Sequence, residues 1–192
     1  MIASLIGRDC EKPRPKLPFR IKTLRIPVNL DKRLLKKVIR ARCHMDACGW
    51  FSIEAAELAG SSPKGRLYKL TTKWWESEHK GGNYDRRAPR TGGEVATSFV
   101  FCSKQRPAWI DYDEDQKAWL ATPLQPGNSN AVFGAAESAY AMYWAACHNT
   151  VVGDVYTEGD ILGRKLGYRF SGDLNAIEDQ QKLTSPEDVL NW

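Results

Sequence analysis

The sequence predicts an α/β (α+β) fold: a small mixed sheet with flanking helices, preceded by a basic N-terminal arm. Three observations carry this. Short apolar stretches separated by turn residues recur between Val95 and Tyr156, as expected of strands. Apolar residues at helical spacing mark two or three further segments. Hydrophobic residues make up 42% of the 192 and charged ones 27%, enough apolar material for a core. A chain of this length forms one domain with at most a short arm, so the expected division is 1–23 (arm) and 24–192 (one domain, core unit about 95–160).

The elements follow in order. Asp9 to Lys22 is dense in Pro13, Pro15, Pro18 and basic residues, which predicts an extended arm. Leu24 to Leu30 reads as a short strand, pushed to a sheet edge by Pro27. Asp31 stands as N-cap to a basic amphipathic helix reaching Arg42. Its apolar stripe is Leu34, Leu35, Val38 and Ile39, and Lys32, Arg33, Lys36, Lys37, Arg40 and Arg42 fill the other face. Ser52 to Ala59 fits a second helix, closed by Gly60. Lys80 to Gly93 is a long loop with four glycines and Arg86, Arg87 and Arg90. Val95–Phe101 is a strand. Ala108–Asp111 and Ala118–Leu124 form a hairpin through residues 112–117. The polar turn Gln125–Asn130 leads to a helix from about Ala131 to His148. Val151–Tyr156 reads as a strand, and Ser185–Asp188 as a short helix.

Charge is distributed unevenly. Residues 1–90 hold 21 Lys/Arg against 9 Asp/Glu, while residues 91–192 hold 7 against 14. A basic front on an acidic body is the profile of a protein that meets a polyanion, nucleic acid before anionic lipid, although a basic helix also serves simply as a solvated face. The longest apolar run, Ala139 to Cys147, is nine residues, against the ~20 that span a bilayer. The apolar start is too short for a secretory segment, and five cysteines at irregular spacing argue for a reduced, cytoplasmic protein.

Several groups have the composition of a chemical site. A loop of small residues entering a helix N-terminus offers free N–H groups to phosphate, which singles out Gly127, Asn128, Ser129 and Asn130, or else marks an ordinary N-cap. If Tyr112 faces Lys117 across the hairpin, Lys104 and Arg106 flank that loop. The run Asp113–Asp115 then lies at the opposite tip, as a solvated turn rather than a metal cluster. Glu137 and Asp154, with Glu158 and Asp160 nearby, are carboxylates for metal-assisted phosphoryl or phosphodiester chemistry, or plain surface acids. Cys43, His44 and Cys48 with Cys147 and His148 have zinc-ligand chemistry, set against ordinary packing. Trp109 and Trp119 read as a cross-strand pair. Trp74 and Trp75 are available to stack on unpaired bases or to fill the core.

The order of strand, acidic hairpin, strand, glycine loop, Ala-rich helix and strand resembles the core of the ParB/sulfiredoxin superfamily. The resemblance rests on Pro107–Ile110, Ala118–Thr122, Gly127, Ala135, Ala136 and Val151–Val152. That family places an arginine directly after the loop glycine. Here Asn128, Ser129 and Asn130 follow, so arginine chemistry would fall to Lys104, Arg106 or the Arg86/Arg87/Arg90 loop. Size and basic arm add a similarity to the plasmid fertility-inhibition proteins of the Osa type. The resemblance implies a cytoplasmic effector, free or peripheral at the inner membrane, that blocks conjugative or T-DNA transfer through a type IV secretion system. It implies ATP and Mg²⁺ as cofactors, with ATPase and DNase activity. On that reading Glu137 and Asp154 are catalytic, Lys104, Arg106, Gly127, Asn128, Ser129 and Asn130 hold nucleotide, and Lys32, Arg33, Lys36, Lys37, Arg40, Arg86, Arg87 and Arg90 hold DNA. The alternatives are a secretion-system-binding inhibitor, or a non-catalytic helix-turn-helix regulator built from Asp31–Arg42, Ser52–Ala59 and Ser62–Lys69. The state of residues 62–70, helical or extended, separates the regulator from the enzyme.

Overall fold

The computed structural model describes residues 30–132, 134, 136–170 and 179–192, so the expected arm and most of the strand at 24–30 lie outside the described residues. The chain forms a seven-stranded sheet in chain order: β1 (Ile39–His44), β2 (Ala47–Ser62), β3 (Gly65–Glu78), β4 (Thr91–Ser103), β5 (Ala108–Asp113), β6 (Ala118–Pro123) and β7 (Gln181–Leu183). Every pairing of these strands is antiparallel. The expected mixed sheet with a ParB/sulfiredoxin-like core is therefore incorrect. Such a core needs a strand that returns parallel after the helix, and the segment expected to supply it, 151–156, is a turn.

The first half departs most from expectation. Residues 31–42 are a turn followed by β1, and 52–59 and 62–70 belong to the β2–β3 hairpin, so no helix-turn-helix exists there. The reason lies in β-bulges. Between Ile53 and Ala55 the register against β3 shifts, so Ile53 and Ala56, three apart, both reach the core face opposite Thr72 and Leu70. A second bulge sits between Arg40 and Arg42 on β1. Bulges convert the period of two into spacings of three, which imitates a helix in the sequence. Upstream, Leu35 bridges Ile53, and Lys36, with φ at 61°, donates its N–H to the Ile53 carbonyl. Met45 and Asp46, both left-handed at φ 48° and 63°, make the two-residue turn that joins β1 to β2.

Helix α1 (Ala136–His148) is apolar all round and buried from Ala139 to Ala145. It lies between two layers. Phe51, Ile53, Tyr68, Leu70, Val100 and Trp109 of the sheet pack beneath it, and Val152, Val155 and Tyr168 of the following segment complete the cluster. That segment includes α2 (Glu158–Lys165). The alternate residues Leu67, Phe99, Phe101, Ala108 and Ile110 form a second cluster, joined by Val189 of the 3₁₀ turn at Pro186–Asn191. A sheet with two buried faces explains why neither hairpin reads as a simple apolar/polar alternation.

Two disulfides contradict the reduced protein expected from cysteine spacing. Cys43–Cys48 closes the β1–β2 turn, and Cys102–Cys147 ties the end of β4 to the end of α1 across 45 residues. Bridges of this kind persist in oxidising compartments. They also withdraw the cysteines from the zinc set, because a bridged sulfur has no thiolate to offer. Beside the second bridge the Tyr143 hydroxyl donates to the Ser103 carbonyl at 3.0 Å and meets the Tyr168 hydroxyl at 2.5 Å, which lies 2.7 Å from His148 Nε2. Burial, with Lys104 adding a nearby positive charge, pushes the His148 pKa down to about 3.

Two outcomes follow. Thiol titration of denatured, unreduced protein should find at most one reactive thiol per chain; four or more would mean that the bridges do not form. Because His148 is neutral when folded and protonates freely when unfolded, the unfolded chain binds more protons there between pH 6.5 and 3, so its contribution to stability falls on acidification across that window. His148 contributes up to about 1.4 kcal/mol per pH unit, opposed between about pH 4 and 6 by Asp111, whose burial raises its pKa to about 6; the contribution should be lost in His148→Gln, as read from the difference in urea midpoints between wild type and variant at several pH values.

Candidate functional site

Helix α1 has 13 residues, about 20 Å at ~1.5 Å each. Strand β2 has 16, about 50 Å at ~3.3 Å each. One such helix is shorter than these strands, and among the described residues nothing covers the end of the sheet near Ala47, Glu78 and Thr91. Four clefts open there. One of about 400 Å³ lies between Arg40, Arg42, Tyr84 and the α1 residue Glu137. One of about 550 Å³ is lined by Lys80, Arg86 and Arg87, and one of about 610 Å³ by Val38, Trp75 and Arg90. The largest, about 640 Å³, runs along Trp74, Glu76, Glu94 and Ser138. Neighbouring clefts share lining residues: Arg42 the first and the last, Asn83 the first and the second, Arg87 the second and the third, and Trp75 the third and the last.

The basic loop between β3 and β4 is held to this end by buried hydrogen bonds. His79, 5% exposed, donates its backbone N–H to the Asp46 carbonyl in the β1–β2 turn. Its Nδ1 lies 3.1 Å from the Asn83 carbonyl, so Nδ1 carries the proton and Nε2 accepts from Ser77 Oγ at 2.9 Å. Ser77 Oγ in turn accepts from Trp50 Nε1 at 2.7 Å, and the Arg90 guanidinium stands 5.3 Å from the Trp50 ring centroid. No signal in the sequence marks this hydrogen-bonded series, because Trp50, Ser77 and His79 converge only through the β2–β3 register.

The expected DNA-binding residues split into two sets. Lys32 and Arg33 lie on the exposed turn before β1, where Arg33 pairs with Asp31. Lys36, Lys37, Arg40, Arg86, Arg87 and Arg90 are all exposed, and Arg40, Arg86, Arg87 and Arg90 line the neighbouring clefts. They sit on an edge strand and a loop, not on a helix. Arg42, Lys80, Tyr84 and Trp75 complete the surface.

Glu137 and Asp154, expected as a catalytic pair, do line the same cleft. Each carboxylate is already engaged. Glu137 faces Arg42 Nε at 3.4 Å, and burial raises its pKa against the opposing pull of Arg42 and of a hydrogen bond from Tyr156. Asp154 accepts from Thr157 Oγ1 at 2.7 Å and from the Tyr156 N–H at 2.8 Å, and these bonds hold its pKa below the ordinary range. It organises the turn into α2. Among the described residues no group of three His, Cys, Asp or Glu side chains is arranged around a common point.

The expected nucleotide loop is a separate place. Gly127, Asn128, Ser129 and Asn130 line a cleft of about 510 Å³ with Asp160, Arg164 and Tyr168, and neither Lys104 nor Arg106 lines it. The loop spends its amides on itself. Asn128 N–H donates to Gln125 O, Asn130 N–H to Asn128 Oδ1, Ala131 N–H to Asn128 O and Val132 N–H to Ser129 O. It leads into a 3₁₀ turn at Ser129–Ala131, and α1 begins only at Ala136. Gly127, at φ 91°, backs against Gly163, where a Cβ would stand 2.3 Å from Gly127 N; its glycine serves loop–helix contact. Lys104 Nζ donates to the Leu166 carbonyl at 2.9 Å over the Tyr168 ring, and burial lowers its pKa to about 8. Arg106 stacks on Trp192 at 4.4 Å. Lys104 and Arg106 thus stand apart from the cleft at the glycine loop, whose basic lining is Arg164 and Arg169.

His79→Ala should cost about 1–3 kcal/mol through the Ser77 and Asn83 groups left unpaired. Amide exchange should accelerate in residues 80–90 while β5 and β6 keep their protection. Unchanged exchange in that loop would show that His79 does not hold it. Comparison of the chain with protein-family models, curated proteins and solved structures finds no match, so the geometry above is the ground for any functional reading.

Proposed function

We propose that the protein binds nucleic acid at the uncovered end of its sheet, preferring unpaired strands. One observation carries this: basic residues far apart in sequence, Arg40 and Arg42 on β1 and Lys80, Arg86, Arg87 and Arg90 in the β3–β4 loop, line neighbouring clefts that share residues. Exposed guanidinium groups neutralise phosphates and release counterions, which supplies affinity without sequence preference. Aromatic side chains among them, Tyr84, Trp75 and Trp50, suit stacking on bases. Among the described residues no recognition helix stands at this end to enter a major groove, which favours single strands over duplex.

Two disulfides favour an oxidising compartment as the place of encounter. Among the described residues no helix is long and apolar enough to cross a membrane. Interference with conjugative or T-DNA transfer is the biological role that the plasmid-protein resemblance adds, and its nucleic-acid part is the part with support here. Hydrolysis of ATP or DNA is left out of the proposal because Glu137 and Asp154 stand in a different cleft from the glycine loop, with Arg42 and Thr157 as their partners.

Fluorescence anisotropy with a labelled 20-nucleotide single strand tests the reading. Affinity should fall linearly with log salt, and Arg86→Glu/Arg87→Glu/Arg90→Glu should weaken binding at least tenfold. The triple variant should also reduce the salt slope by about 2, at ~0.7 per phosphate contact. Equal binding by wild type and variant would contradict the proposal. Binding to anionic vesicles but to no oligonucleotide would move the assignment to lipid.

A further inference from the structure

We infer that the 640 Å³ cleft beside Trp74 receives one unpaired base and selects bases that carry an amino group over thymine or uracil. The inference rests on the nucleic-acid reading and names what its largest cleft would hold.

The cleft has an open floor. Ala47, Gly49 and Gly92 line it, and a Cβ built at Gly49 meets nothing nearer than the Arg42 carbonyl at 3.9 Å. Its wall is a fixed aromatic. Trp74 donates Nε1–H to Thr72 Oγ1 at 2.9 Å and packs on Phe51 at 5.8 Å between centroids, so the indole is held before any ligand arrives. Arg42 lines both this cleft and the one with Arg40, so a phosphate held at Arg42 stands beside the base site.

Glu76 and Glu94 supply the selectivity. Glu94 pairs with Trp74 across β3 and β4, and Glu76 follows two residues along β3, so both line this cleft. Both are exposed, and among the described residues neither has an ion-pair or hydrogen-bond partner. Stacking on indole tolerates every base, so discrimination falls to the base edge. A carboxylate only accepts hydrogen bonds. Cytosine offers its amino group, and guanine offers an amino group and a ring N–H side by side, which match the two oxygens of one carboxylate. Thymine and uracil present one N–H flanked by two carbonyl oxygens, which the carboxylate repels.

The test uses three 20-nucleotide strands of thymidines that differ only at one central position, dT, dG or dC, with anisotropy and tryptophan fluorescence read together. Wild type should bind the dG and dC strands about tenfold more tightly than the dT strand, with stronger tryptophan quenching. Glu76→Gln/Glu94→Gln should bring the three affinities together, and Trp74→Ala should remove the extra quenching. Circular dichroism checks that each variant is folded. Equal affinities for the three strands in wild type would overturn the base pocket while leaving phosphate binding intact. If no strand binds, both the pocket and the nucleic-acid reading fall.

Discussion

The clamp between α1 and β4 decides which part of the sheet is covered. Cys102–Cys147 and the Tyr143 bond to the Ser103 carbonyl fix the end of the helix over the end of β4. From there the helix runs toward β1, where Glu137 meets Arg42. An apolar helix with sheet on one side and the 152–168 segment on the other buries the protein's largest side chains, Trp144, Tyr140 and Tyr143 among them. Beyond its first turn the strands continue with nothing among the described residues above them. The clefts are the consequence of a long hairpin pair roofed by a short helix.

Charge placement fits that geometry better than it fits edge protection alone. Lysines and arginines on an edge strand guard a sheet against pairing with another chain, and Arg40 and Arg42 on β1 can be read that way. Arg86, Arg87 and Arg90 cannot, because they belong to a loop on the far side of β2 and β3. The His79 hydrogen bonds bring that loop across to the β1–β2 turn at the cost of a buried polar chain. A fully satisfied buried network specifies one loop position, which a merely solvated loop would not need.

Local order was legible where turns are short and strands regular. The β5–β6 hairpin and the helix before His148 lie where the sequence puts them, although the hairpin register differs by two residues. Tyr112 pairs with Trp119, because Lys117, at φ 48°, belongs to the turn. Trp109 consequently faces Thr122 and not Trp119. The first half was misread because bulges at 40–42 and 53–55 give strands the apolar spacing of helices. Cys102 and Cys147 could not be paired from spacing, since their meeting depends on how α1 crosses the sheet. The Arg86–Arg90 loop was recognised as basic, but its partners on β1 became visible only through the register. Glu137 and Asp154 line one cleft, apart from the glycine loop, and their partners Arg42 and Thr157 come from elements that the sequence assigns differently.

The central claim is that one end of the sheet, assembled from both basic segments, is the ligand surface. Hydrogen exchange with and without a single-stranded oligonucleotide tests it most directly. Added protection should appear at residues 36–49 and 74–94 and leave the Gly127–Asn130 loop and α2 as they were. Protection at Gly127–Asn130 and α2, with the basic end unchanged, would contradict the account and return the site to the glycine loop.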